Sequence, residues 1–350
     1  MSGKKYEFLN IAKGIGILLV VIGHAITKDI AAGSAVWLVV RTFIYDIHMP
    51  LFFIVAGFLF DLYYIKYREK GYANYLAKKS KKYMIPYLVM NLFAIAVFVV
   101  IGLIPALKAI VPIPESLSGG VGAILKALVL LEGTIDEHLW FAYVMFVVLI
   151  FNYLVYGLIK GDKRGAYRNV LFIVALGLYL LSYAINMPSI ILRTLRYNLY
   201  FNIGCVMKRM KYEGKLPLAA DISVAVACVA SFAVYMRFFY GTSFLPIVAG
   251  LLLAVIGTTG SICVFTLSDL LVGVKSVKKP FLFLNGCSYP IYLYHQPFIV
   301  SGTIVILTKL GFVPLISVPI AVAVGLGVTI AVYKLIVSKN KVLKLLFAGE

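Results

Sequence analysis

Few groups in this 350-residue sequence can move a proton or hold an anion, and many of those few sit inside long apolar stretches. All four histidines, His24, His48, His138 and His295, lie within or at the edge of such stretches. Imidazole titrates near neutral pH, so a histidine beside a hydroxyl can take its proton as a general base, or can itself act as a nucleophile. Lys13 precedes His24 by eleven residues. On a helix that is three turns plus about 20°, which puts both side chains on one face roughly 16 Å apart along the axis. Asn10, Gly16, Val20 and Thr27 fall on the same stripe. The pair is therefore expected to line one wall of a passage. The plainer reading is a lysine that snorkels to the headgroups and a histidine bonded to a neighbouring helix.

Ionisable groups in a bilayer-spanning segment cost a few kcal/mol each, so they tend to face a cavity or a partner. In RTFIYDIHMPLFFIVAGFLF, Arg41 and His48 share a helix face while Asp46 points elsewhere. Pro50 removes a backbone hydrogen bond and is expected to kink that helix just past His48. An internal Arg41–Asp46 pair with a structural His48 is the alternative. EGTIDEHLWF sets Glu132, Asp136, Glu137 and His138 at a membrane edge, followed by Trp140, whose indole suits an interfacial aromatic belt. RTLRYNLYFN puts Arg193, Arg196, Tyr197, Asn198 and Asn202 at the start of another helix, with the two arginines forming a positive patch. In SYPIYLYHQPFI, Tyr292 and His295 share a face, either as a functional or as a hydrogen-bonded structural pair, with Tyr289 and Gln296 nearby.

These residues must be positioned by membrane helices. The sequence is 62% hydrophobic and 13% charged, with a mean hydropathy of +0.99, whereas a soluble domain keeps about a quarter of its residues charged. Apolar segments long enough to span a bilayer recur at about 8–28, 37–62, 84–104, 139–158, 169–186, 191–207, 217–238, 244–271, 288–308 and 313–337. The fold class expected is all-α, a polytopic membrane protein with about ten transmembrane helices. Prolines and glycines break the pattern over 105–138, which reads as a re-entrant or surface helix around 121–131.

The net charge of +19 follows from topology. Of the 33 Lys and Arg residues, 24 fall in alternate inter-helix segments and at the termini, seven lie in the others, and Lys13 and Arg41 lie within helices. That split predicts a multi-pass cell-membrane protein with both termini cytoplasmic and excludes nucleic acid as a partner. Cys205, Cys228, Cys263 and Cys287 lie far apart with no CxxC spacing, which gives neither a disulfide framework nor a metal site. Lys13 interrupts the first apolar run and no A-x-A site follows it, so that run reads as an uncleaved first helix. HExxH, GxSxG and Walker A patterns are absent, and KGIG lacks the preceding strand of a nucleotide loop. There is no internal repeat of the kind found in many transporters.

Four local patterns resemble the integral-membrane acyltransferase 3 family, especially members that O-acylate extracellular polysaccharides. They are a basic residue followed after ten positions by histidine in LNIAKGIGILLVVIGHA, then HMPLFFIVAGFLF, HLWFAYVMF and SYPIYLYHQPFIV, in that order over residues 9–300. The resemblance implies transfer of an acyl group, most often acetyl, from a cytoplasmic thioester such as acetyl-CoA to a sugar hydroxyl at or beyond the outer face. It makes His24 the catalytic histidine and Lys13 its basic companion. The family often has arginine at that position, so lysine keeps the charge and gives up bidentate anion binding. Arg41, Asp46, His48, His138, Trp140, Arg193, Arg196, Tyr292 and His295 become candidates for substrate binding. Acyl-CoA is then a co-substrate, with no tightly bound cofactor and no metal.

The expected partners are the bilayer, a polysaccharide or lipid-linked sugar acceptor, and a polysaccharide synthase complex. Residues 1–350 are expected to form one membrane-embedded domain without the fused esterase-like domain many members carry. Export of a polysaccharide or lipid-linked sugar is the alternative function, because it too needs polar groups facing a cavity. A structural role in a synthase complex is a third reading, under which Lys13 and His24 would be replaceable.

Overall fold

The computed structural model describes residues 6–108, 111, 113–158 and 164–350, with the backbone alone for 164–169. Lys4, Lys5, Lys160 and Lys163, which the charge pattern assigns to one side, and the helix breaker Pro112 lie outside the described residues. Every regular element among those residues is helical. Eight helical runs are long and apolar enough to cross a bilayer: Glu7–Ala25, Ala35–Glu69, Tyr72–Leu103, Glu137–Leu158, Leu218–Phe238, Pro246–Val272, Ser288–Lys309 and Pro314–Lys339. The two remaining predicted segments are also helices, Arg164–Leu181 and Ser189–Arg209. The second misses the apolar criterion because Arg193, Arg196, Asn198 and Asn202 belong to it. The chain is an all-α polytopic membrane protein.

We number the helices that position the site α1 (Glu7–Ala25), α2 (Ala35–Glu69), α3 (Ile85–Leu103), α4 (Gly120–Val129), α5 (Trp140–Leu158), α6 (Arg164–Leu181), α7 (Ser189–Arg209), α8 (Leu218–Phe238), α9 (Pro246–Val272), α10 (Lys275–Gly286), α11 (Ser288–Tyr294), α12 (Val300–Lys309) and α13 (Pro314–Leu335). Helix α1 is the central post and packs against α2, α9, α10, α11, α12 and α13. Phe8, Ile11, Ala12, Val20 and Val21 are fully enclosed by these neighbours. Around the outside, Leu92, Leu103, Ile173, Leu270 and Leu315 are exposed. On a surface in lipid these side chains lose nothing by exposure.

Small residues set how closely the helices cross, as is usual between membrane helices. A methyl group added at Gly57 on α2 would lie 1.8 Å from the Phe201 carbonyl oxygen on α7, and one at Gly204 on α7 would lie 1.9 Å from the Ile54 oxygen. At Gly14 on α1 the added carbon would lie 2.2 Å from the Phe281 oxygen on α10. Helix α10 therefore runs beside α1, where sequence periodicity starts the penultimate span only at residue 288. Its Lys278 ammonium is 3.2 Å from the Glu7 carboxylate, so this helix carries charged residues among its apolar ones, and that hid it from a search for continuous apolar residues.

Helix α2 is one helix through Pro50, with α7 and α9 packed along it. One further expectation changes. Helix α1 ends at Ala25, so the predicted stripe stops before Thr27, whose hydroxyl instead accepts from the Ile30 amide at 3.3 Å and caps the short helix Lys28–Ala32. The irregular stretch 105–138 resolves into short helices Pro105–Lys108 and Glu115–Ser118 and the longer α4. Tyr87 on α3 donates to the Leu128 carbonyl at 2.7 Å and ties α4 to the bundle.

Candidate active site

His24 occupies the last turn of α1, and its ring opens into a cavity of 670 Å³. Two further imidazoles converge on it from distant parts of the chain. The His295 ring, at the start of a π-helical turn after α11, has its centroid 5.1 Å from that of His24. The His138 ring, from the 3₁₀ turn Glu137–Leu139 that leads into α5, lies 6.4 Å from His24 and 4.9 Å from His295. Among the described residues these rings do not form a metal-holding set.

Each ring is oriented by a different partner. Tyr45 Oη lies 3.3 Å from His24 Nδ1. Arg41 holds that tyrosine: its guanidinium lies 4.2 Å above the Tyr45 ring, and its Nε donates to the Ile26 carbonyl at 3.0 Å. His138 Nδ1 pairs with the Asp136 carboxylate, and both side chains are buried. His295 Nδ1 donates to the Tyr292 carbonyl at 2.9 Å, and His48 Nδ1 donates to the Ile44 carbonyl at 2.6 Å. A carbonyl oxygen only accepts, so Nδ1 carries the hydrogen in the last two rings, and Nε2 is left with its lone pair. The Nε2 atoms of His138 and His295 are buried without a hydrogen-bond partner among the described residues.

Lys13, two helical turns into the protein, faces a different cavity, one of 170 Å³. Lys82, from the π-helical turn Ser80–Met84, borders it as well, together with Tyr83, Ser288 and Tyr289. The walls further along are apolar, with Ile17, Val20, Phe52 and Met145. Met49 borders both this cavity and the large one. Lys13 and His24 thus border two cavities with Met49 in the wall of each, where helical spacing alone expected one wall.

A side chamber of 310 Å³ shares Tyr45, Trp140, Arg193 and Tyr197 with the large cavity. Asp46, Arg196 and Tyr183 line only the side chamber. Arg193 lies 4.7 Å over the Trp140 ring, and Arg196 lies 4.1 Å over Tyr183. Arg196 also donates from Nε and a terminal nitrogen to the hydroxyl and carbonyl of Ser182, both at 3.1 Å.

Several expectations shift with this geometry. Trp140 borders both the large cavity and the side chamber. Arg41 is held by Ile26 and Tyr45, so no Arg41–Asp46 pair exists. Tyr292 is used twice, donating to the His138 carbonyl at 3.0 Å and accepting from the Ala142 amide at 3.2 Å; it borders the small cavity and braces His138 from behind. His295 is fully buried behind His24 and does not line the large cavity. Asn198 and Asn202 turn towards α5, where the Asn152 amide donates to Asn198 Oδ1 at 2.7 Å. His48, Arg41 and His138 do border the large cavity.

Residue-type reasoning missed Tyr45, Met49, Lys82 as a site residue, and the loop residues Thr134 and Ile135 that border the large cavity. Only Lys82 carried a signal, as one cation in the basic run 78–82.

A family model described as an acyltransferase domain matches residues 6–334. That range contains both cavities, the side chamber and every candidate residue. The chain belongs to the acyltransferase 3 family. Comparison with curated proteins and with solved structures finds no match for it. It is an acyltransferase, an enzyme that transfers acyl groups other than aminoacyl groups, and so takes an acyl donor and an acceptor in a membrane. Four of its buried polar residues, His48, Asp136, His138 and Gln296, line the large cavity.

Proposed function

We propose that the chain moves an acyl group, acetyl being the simplest, from cytoplasmic acyl-CoA to a hydroxyl of an extracellular or surface polysaccharide. The observation that carries this reading is a pair of unlike chambers that share Met49 as a wall: one bordered by Lys13 and Lys82, the other by His24 with two imidazoles packed against it.

Acyl-CoA is an anion with phosphates at one end and a thioester at the end of a slender arm. The paired lysines attract the phosphates, and the apolar walls of the smaller cavity suit the arm and acyl group while excluding a polymer. In this orientation the N-terminus is cytoplasmic, in keeping with the alternating loop charge. The larger cavity, with His24, Arg41 and Trp140, admits the sugar.

There the His24 imidazole takes the hydroxyl proton as the sugar oxygen bonds to the thioester carbon. The carbon–sulfur bond breaks, and the sulfur of CoA leaves with a proton returned by the same ring. Tyr45 holds the ring in place for both transfers. The test is mass spectrometry of surface glycans from cells carrying the wild-type protein or His24→Ala. Loss of the acyl substituent with unchanged polymer export is the expected result. Lost export with a normally acylated retained polymer would overturn it in favour of an exporter.

A further inference from the structure

The side chamber does not contain His24, yet its walls are built as carefully as those of the cavity that does. Asp46 Oδ2 is buried and has no hydrogen-bond partner among the described residues, and none of them places a cation within ion-pair distance of Asp46. A buried carboxylate oxygen left in that state is costly unless a ligand supplies a donor. Arg196 borders the same chamber and is fixed by its two bonds to Ser182 and by its stack on Tyr183. Its guanidinium is therefore a donor set in advance. Arg193 is held over the Trp140 indole, and Tyr197 lies against the other part of that aromatic wall, 4.9 Å from Trp140 centroid to centroid.

An acceptor carboxylate, fixed guanidinium donors and broad aromatic faces form the chemistry that recognises a sugar ring. The hydroxyl hydrogens go to Asp46, the hydroxyl and ring oxygens take hydrogens from arginine, and the C–H face lies on an aromatic ring. One carboxylate against two guanidiniums leaves a single excess positive charge in the chamber, which suits a sugar that is neutral or carries one carboxylate.

Its position sets what it binds. Tyr45 is the partition: its hydroxyl is on His24, and its ring borders both the reaction cavity and the side chamber. Trp140, Arg193 and Tyr197 continue from one space to the other. We infer that the side chamber is a subsite for the sugar residue adjoining the one that is acylated, so that the acceptor is an oligosaccharide or polymer and not a free monosaccharide. This rests on the acyl-transfer reading above and adds the length of chain the enzyme recognises.

The test uses the full-length protein in nanodiscs with acetyl-CoA and partial hydrolysates of the producing cell's surface polysaccharide, fractionated by size, with transfer read by mass spectrometry. Wild type is expected to acylate the disaccharide fraction with a kcat/KM about ten- to a hundredfold above that of the monosaccharide, the worth of a charged hydrogen bond. In Asp46→Asn that ratio falls towards one. Arg196→Lys provides a second variant with the same expectation, and a ratio within one protein does not depend on how much of it folds. Equal rates on both fractions in wild type, or a ratio unchanged in both variants, would overturn the subsite alone. Failure to acylate any fraction would instead overturn the acyl-transfer reading, and the subsite with it.

Discussion

Helices α2 and α7 carry most of the walls of the side chamber, and Gly57 and Gly204 set their separation. In Gly57→Ala the new methyl carbon would lie 1.8 Å from the Phe201 carbonyl oxygen, whereas real contacts of this kind stay above 3.0 Å. The helices must part by roughly 1 Å, and no flexible side chain can yield in their place because the obstacle is backbone. Overpacking of this kind costs about 1–3 kcal/mol. For a chain of this size that amounts to a drop in melting temperature of a few degrees.

The expected result is a lower melting temperature in detergent for Gly57→Ala, measured by intrinsic fluorescence, together with a raised KM for the sugar acceptor as Asp46 and Arg196 move apart. Gly302→Ala serves as the opposite-sign control. It sits within α12 with nothing within 4 Å of the added carbon, so alanine should stabilise by roughly 0.5–1 kcal/mol through its helix preference. A Gly57→Ala protein that melts with or above wild type would refute the idea that this crossing is closed by backbone contact.

Other outcomes follow from the same geometry. Lys13→Ala and Lys82→Ala should each raise the KM for acyl-CoA about five- to tenfold while Lys13→Arg stays near wild type, and the effect should shrink at high salt, all read from initial rates. In a double-mutant cycle between Asp136→Asn and His138→Gln, a coupling of about 1.5–3 kcal/mol in transfer rate or stability is expected, and additive losses would show that the buried pair does not act as a unit. Tyr87→Phe removes the bond to Leu128 and should cost about 0.5–1.5 kcal/mol, seen as earlier proteolysis of the segment 105–135 than in wild type.

Much of this protein was legible from residue order alone. The apolar runs lie where the helices lie, and Lys13, His24 and the HLWF, RTLRY and YLYHQP segments all reach the cavities or the elements that brace them. That follows from local physics: helix length is set by the bilayer, and residue spacing along a helix by its 3.6-residue turn. Helix α10 was not legible, because charged residues lie among its apolar ones.

What tertiary structure decided is which faces meet. His24, His138 and His295 are separated by more than a hundred residues from one to the next in the chain, and no periodicity relates them. Their convergence depends on how far each helix is rotated and how closely it crosses its neighbours. Glycine-sized contacts such as Gly14 on Phe281 and Gly57 on Phe201 set those distances to within an ångström. The same contacts place Lys13 in one chamber and His24 in the other. Spacing along a single helix determined that these two residues face one way; the side chains brought against that face, Met49 above all, determined that they do not share a room.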